Sequence, residues 1–118
     1  MKILVVDDET DICFLLNNIL KQRNIHVTCA GSLTEAEKIL DSNPDFSIVF
    51  LDNHLPDGLG IPFISHVKEK NPLTHLVIIT AHDGSNEKEI ATRNGADYFI
   101  GKPFSQEKII NTLCQFAV

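Results

Sequence analysis

A doubly wound α/β fold, a five-stranded parallel sheet carrying five helices, is predicted by three features of this sequence. Short continuous apolar runs alternate with stretches in which apolar residues recur at every third or fourth position, and the alternation persists along the chain. The runs end abruptly in acids, a hydroxyl, or Pro and Gly, as buried strands do where they leave a sheet. Helical stretches between such strands imply right-handed crossovers, which lay helices on both faces of a parallel sheet.

Ile3 to Val6 reads as the first strand, stopped by Asp7, Asp8 and Glu9, and Ile12, Leu15, Leu16, Ile19 and Leu20 then form one stripe of an amphipathic helix. His26 to Ala30 is a weaker strand. Ser32 and Glu35 have capping-box spacing ahead of Ala36, Ile39 and Leu40, giving a second helix that ends near Asn43 and Pro44. Ile48 to Leu51 is a third strand delivering Asp52 to a loop punctuated by Pro56 and Gly58. Ile61, Ile64 and Val67 suggest a third helix that stops before Pro72, and His75 to Thr80 follows as a buried strand. Ser85 can cap a fourth helix through Asn94 with Gly95 at its C′ position; its apolar content, mainly Ile90 and Ala91, is thin. Asp97 to Gly101 is the fifth strand. Ser105 caps a last helix expected to face inward with Ile109, Ile110, Leu113 and Cys114.

The 118 residues suit one domain, residues 1–118, and 43 % hydrophobic with 22 % charged residues is an ordinary globular balance. A net charge of −6 argues against generic binding to nucleic acid or anionic membrane. Cys13, Cys29 and Cys114 are odd in number, scattered and without a CxxC pair, so they are expected to be buried thiols in a reducing compartment. No apolar run reaches signal-peptide or membrane-spanning length, and a cytoplasmic location is expected.

Parallel strands point one way, so Asp7, Asp8, Asp52, Thr80 and Lys102 all fall at the carboxyl edge of the sheet, where open α/β folds place ligands. Each has an ordinary reading by itself: Asp7 and Asp8 as acids at a helix start, Asp52 as a turn former, Thr80 as a buried β-branched residue, Lys102 as a solvated loop lysine. Together, three carboxylates, a hydroxyl and an ammonium make a site for a hard divalent cation and an anionic oxygen ligand. Close like charges also require at least one carboxyl with a raised pKa when no cation is bound.

The acids of VVDDE, the Asp of FLDNHLPDG, the Thr-Ala of IITAH, GADYF and the Lys-Pro of GKPF together resemble the receiver domain of two-component response regulators, across essentially the whole chain. The resemblance implies the strand order 2-1-3-4-5 of flavodoxin-like folds. It implies that Asp52 accepts a phosphoryl group from the phosphohistidine of a histidine kinase or phosphotransfer protein. Asp8, Asp52 and the His54 backbone carbonyl would hold Mg2+, or Mn2+ in its place, with Asp7 acting through water. Lys102 and Thr80 would meet phosphoryl oxygens, and Lys102–Pro103 is a candidate cis peptide. Thr80 and Phe99 would form the switch, with the surface of the fourth helix, fifth strand and fifth helix read by an output domain or downstream protein. Family members often dimerise through that face on phosphorylation; no direct nucleic-acid or membrane contact is implied for this domain.

Some features depart from the family's common pattern. The aromatic switch position is Phe99, which lacks the hydroxyl of the tyrosine found in many receivers. The loop LPDGLG, read to Gly58, is a residue short of many receivers between its proline and glycine, so the cation side of the loop is expected to differ. His54 and His82, two positions after Asp52 and Thr80, are expected to flank the approach of hydrolytic water. Three other classes compete with the receiver reading. A small-molecule phosphotransferase would need a cap domain or a second acid, a nucleotide-binding module would need GxGxxG or a P-loop, and a contact-only pseudo-receiver would not need the full site set. A stand-alone receiver and the regulatory part of a longer regulator both fit, with the ending FAV favouring the second.

Overall fold

The computed structural model describes residues 1–81 and 85–116. Five parallel strands form the main sheet: β1 (Lys2–Val6), β2 (His26–Ala30), β3 (Ile48–Asp52), β4 (His75–Thr80) and β5 (Tyr98–Gly101). Their spatial order is β2-β1-β3-β4-β5, the predicted 2-1-3-4-5. Helices α1 (Thr10–Lys21), α2 (Leu33–Ser42), α3 (Ile64–Lys70), α4 (Ser85–Arg93) and α5 (Gln106–Gln115) connect or follow them.

Alternation along the strands divides the core in two. Leu4, Val6, Val49, Leu51, Leu76 and Ile78 face Ala36 and Leu40 of α2, Ile64 and Val67 of α3, and Ala91 of α4. The intervening residues Ile3, Val5, Ile48, Phe50, Val77 and Ile79 face Leu16, Ile19 and Leu20 of α1 and Ile109 and Leu113 of α5. All five residues of β3 are buried, so the central strand is apolar on both faces until it reaches Asp52. Each of its large side chains contributes about 1.5–3 kcal/mol by leaving water, which anchors that carboxylate to the most rigid part of the molecule.

Local signals set the helix ends. The Ser32 hydroxyl accepts from Glu35 N at 3.1 Å and the Ser105 hydroxyl from Lys108 N at 3.1 Å, caps of about 1 kcal/mol each. Gly95 takes φ +104 where α4 turns back towards β5. The cap expected of Ser85 concerns a side chain outside the described set. The third helix begins with a single 3-10 turn, Ile61–Phe63, that admits Pro62.

Several expectations are corrected. Leu15 is exposed, because α1 turns only Leu16, Ile19 and Leu20 fully onto the sheet. Cys114 is an exposed free thiol on the outer side of α5. Cys13 and Cys29 are joined in a disulfide: α1 packs across β2 and brings their Cα atoms to 6.2 Å, a proximity that their separation of 16 residues does not announce. The loop after β3 is not irregular throughout; His54–Leu55 and Gly58–Leu59 pair as a small antiparallel hairpin.

Candidate functional site

Because the strands are parallel, their carboxyl ends meet, and β1, β3, β4 and β5 bring the expected residues to one crevice. Ligand atoms of Asp7, Asp8 and Asp52 lie within 4.8 Å of one another, Asp7 and Asp52 buried and Asp8 exposed. Lys102, which follows β5, reaches in with its side chain only 8 % exposed, its Nζ 2.7 Å from Asp7 Oδ2, 3.0 Å from Glu9 Oε1 and 3.4 Å from Asp52 Oδ2. The Lys102 backbone N–H donates to the Thr80 carbonyl at 2.7 Å, which fixes where the lysine leaves the sheet. Thr80 itself is fully buried at the end of β4. A cavity of about 220 Å³ opens above these groups, lined by Asp8, Glu9, Asp52, His54, Ala81 and Lys102.

One carboxyl is raised as expected, but not chiefly by its like-charged neighbours. Burial is the main cause that raises the Asp7 pKa above its ordinary value, opposed by Lys102 and the Glu9 amide and reinforced by Asp52. For Lys102 burial again is the largest influence and disfavours the charge, yet hydrogen bonds with Asp7 and Glu9 outweigh it and the pKa is raised. The Asp7 to Lys102 contact at 2.7 Å is a close ion pair, and among the described residues that ammonium is the one polar partner of the buried Asp7 Oδ2. A carboxylate oxygen in that position, beside two more acids, fits a hard divalent cation, which takes oxygen donors and keeps some waters.

The loop after β3 is held at several points. Asp52 Oδ1 accepts from His54 N at 3.2 Å. Asn53, only 5 % exposed, accepts from Ile61 N at its Oδ1 (2.8 Å) and donates from Nδ2 to Glu87 Oε1 of α4 (2.7 Å). His54 Nε2 lies 3.2 Å from the same glutamate oxygen, so its ring leans towards α4. On the other side Asp57 accepts from Leu33 N, Thr34 N and Thr34 Oγ1 at the start of α2. Two glycines of the loop are needed for different reasons: a Cβ at Gly60 would collide with the Asp52 carbonyl oxygen, and Gly58 sits in the hairpin at φ +150, which other residues rarely adopt.

Of the remaining expected residues, Phe99 is half-buried and packs with the core cluster on the side of α2, α3 and α4, while Tyr98 faces the α1 and α5 side with Lys108 Nζ 5.4 Å from its ring centre. Lys102–Pro103 is cis. His82 lies outside the described residues. Sequence reasoning missed Glu9 as a partner of Lys102 and missed Asn53 and Glu87 altogether; the signal for Asn53 was a polar residue directly after a fully buried strand.

A parallel sheet whose carboxyl edge gathers acids and one lysine is the arrangement expected of a receiver domain, and the sequence comparisons agree. The family model for the response regulator receiver domain matches residues 3–114, and the chain belongs to that family. Among curated relatives, a putative response regulator NtrX-like protein of Rickettsia bellii is 37 % identical over 112 residues, covering 92 % of this chain and 23 % of that protein. The chain likewise spans 23 % of the response regulator protein PilR from Pseudomonas aeruginosa. Among solved structures, the beryllofluoride-activated NtrC4 receiver domain dimer superposes with a TM-score of 0.91 at 36 % identity, covering 98 % of this chain and 94 % of that one. A Burkholderia pseudomallei response regulator described with a phosphorylated aspartic acid, calcium ion and citrate has a TM-score of 0.88 at 26 % identity, over 95 % and 65 % of the two chains.

Proposed function

We propose that residues 1–118 act as one receiver domain in which Asp52 accepts a phosphoryl group from the phosphohistidine of a sensor histidine kinase or phosphotransfer protein. The observation that carries this reading is the cluster of Asp7, Asp8 and Asp52 with Lys102 on Asp7 and Asp52, and with Asp52 on the central strand. An Asp52 carboxylate oxygen attacks phosphorus in line, the P–N bond to the donor imidazole breaks, and the imidazole leaves with the bonding pair. Lys102 pairs with one phosphoryl oxygen and the Thr80 hydroxyl moves to donate to another, so charge developing on the group is met first by an ammonium already held beside Asp52. Asp8, Asp52 and the His54 carbonyl would hold Mg2+ or Mn2+, with Asp7 through water; when bound, the cation neutralises phosphoryl oxygens. The calcium ion named for the Burkholderia protein supports an oxygen-donor site of this kind.

The product is an acyl phosphate, and water attacking its phosphorus returns the Asp52 carboxylate and inorganic phosphate, so the domain resets itself without being an enzyme for other substrates. Thr80 and Phe99 carry the state of Asp52 to the surface of α4, β5 and α5, Phe99 by packing alone since it has no hydroxyl. The output is a further domain or downstream protein, in transcription regulation, with homodimerisation on phosphorylation, a reading that the beryllofluoride-activated NtrC4 receiver domain dimer supports. A cytoplasmic location fits this role; among the described residues no helix is long and apolar enough to cross a membrane. The net charge of −6 fits a domain that touches neither nucleic acid nor membrane itself.

Incubation with acetyl phosphate, with and without Mg2+, followed by intact-mass measurement tests the proposal. A single Mg2+-dependent phosphate adduct, absent in Asp52→Asn, is the expected result. An adduct that survives Asp52→Asn, or none in the wild type, refutes it.

A further inference from the structure

Asn53 is an expensive residue for its position. It follows a fully buried strand, is itself almost without solvent contact, and must find partners for a carboxamide there. Its oxygen is used on its own loop, accepting from Ile61 N at 2.8 Å, while its backbone carbonyl accepts from Gly60 N at 2.9 Å. Its nitrogen is used on another element, donating at 2.7 Å to Glu87 Oε1 across a sequence separation of 34. The same glutamate oxygen lies 3.2 Å from His54 Nε2. One carboxylate oxygen of α4 therefore gathers the two residues that follow Asp52.

Among the described residues, little else fastens α4. Ala91 is its buried apolar residue and Ile90 is 45 % exposed, so apolar packing gives this helix less than it gives α1 or α2. An element held mainly by one polar tie moves when the tie is pulled. The backbone N–H of His54, now 3.2 Å from Asp52 Oδ1, lies on the path of any rearrangement that follows a change at that carboxylate.

Building on the phosphoacceptor reading of Asp52, we propose that Asn53 and Glu87 form a strut by which the loop carrying the phosphoacceptor and helix α4 are coupled. Occupancy of Asp52 shifts the segment 53–54, the Asn53 carboxamide transmits the shift to Glu87, and α4 changes its packing on the sheet.

Hydrogen exchange over residues 85–93, read with and without Mg2+ and beryllofluoride, tests this in wild type, Glu87→Ala, Glu87→Gln, Asn53→Ala and the double alanine variant. In the wild type, loading is expected to change α4 exchange by about fivefold, the lower end of ordinary coupling strengths. Glu87→Ala removes most of that response while still taking up one phosphate from acetyl phosphate. Glu87→Gln, which keeps an acceptor oxygen, restores it. The double variant responds no less than either single one, because both changes break one link. An α4 response that persists in Glu87→Ala, or single effects that add, overturns the strut alone. A wild type that takes up no phosphate overturns the phosphoacceptor reading and the strut with it.

Discussion

The two ends of the same five strands are polar in different ways. At the amino edge, polar groups are paired off. Thr74 donates its hydroxyl to the Phe46 carbonyl at 2.7 Å, Lys68 Nζ meets the Thr74 carbonyl at 2.7 Å and Asp97 at 2.9 Å, and Asp97 also accepts from Leu76 N at 2.8 Å. At the carboxyl edge, three acids lie together, Lys102 is shared among Asp7, Glu9 and Asp52, the buried Asp7 Oδ2 faces only that ammonium among the described residues, and burial pushes the Asp7 pKa upward. Charges resolved one against one serve the fold. Like charges held together against their own repulsion are held for a ligand, and stability is spent where function needs it.

The sharpest way to break this contrast is Asp7→Asn. Removing a buried carboxylate whose ionised form is disfavoured should raise the urea midpoint of the metal-free protein, while titration calorimetry should find Mg2+ bound at least about tenfold more weakly, as loss of an outer-sphere partner usually brings. A lower midpoint with unchanged Mg2+ affinity would place Asp7 with the structural acids such as Asp97. Thr74→Val probes the other edge. It strips a buried carbonyl of its donor, so unfolding should become easier by about 1–2 kcal/mol with phosphate uptake from acetyl phosphate unaltered.

The smallest effect is expected at Asp57, which belongs to the site's loop yet is resolved like the amino edge. The Leu33 amide, then the Thr34 amide and hydroxyl, hold its carboxyl below the ordinary value of 3.8. A depressed carboxyl stabilises the fold above its unfolded value, and that contribution fades as pH falls through the folded one. The difference in urea midpoint between wild type and Asp57→Asn should therefore be constant near neutrality and shrink below pH 3.8. A difference that grows on acidification would contradict the clamp.

What could be read from the residues, and what could not, follows the range of the interactions involved. Strands β1, β3 and β4 and the caps Ser32 and Ser105 depend on near neighbours, so apolar runs and local spacing revealed them. The carboxyl-edge set was legible because parallel topology alone carries Asp7, Asp8, Asp52, Thr80 and Lys102 to one side. Contacts that depend on how helices lie on the sheet were not. The Cys13–Cys29 pair needs α1 across β2, and the Asn53–Glu87 bond needs α4 beside the loop after β3. Glu9 was read only as one of the acids that stop β1, although it is a direct partner of Lys102.

Gly60 carries a consequence for how variation at this site is to be interpreted. Its φ of −72 is open to any residue, yet a methyl group there would strike the Asp52 carbonyl and press on Leu51 and Asn53. A saturation library would register position 60 as intolerant as the acids, although glycine offers no group to a cation or a phosphoryl oxygen. Gly31, with nothing within 4 Å of an added Cβ, would pass the same screen unnoticed. Intolerance in such a map therefore marks two populations, side chains that do chemistry and spaces that must stay empty so that the chemistry is aimed.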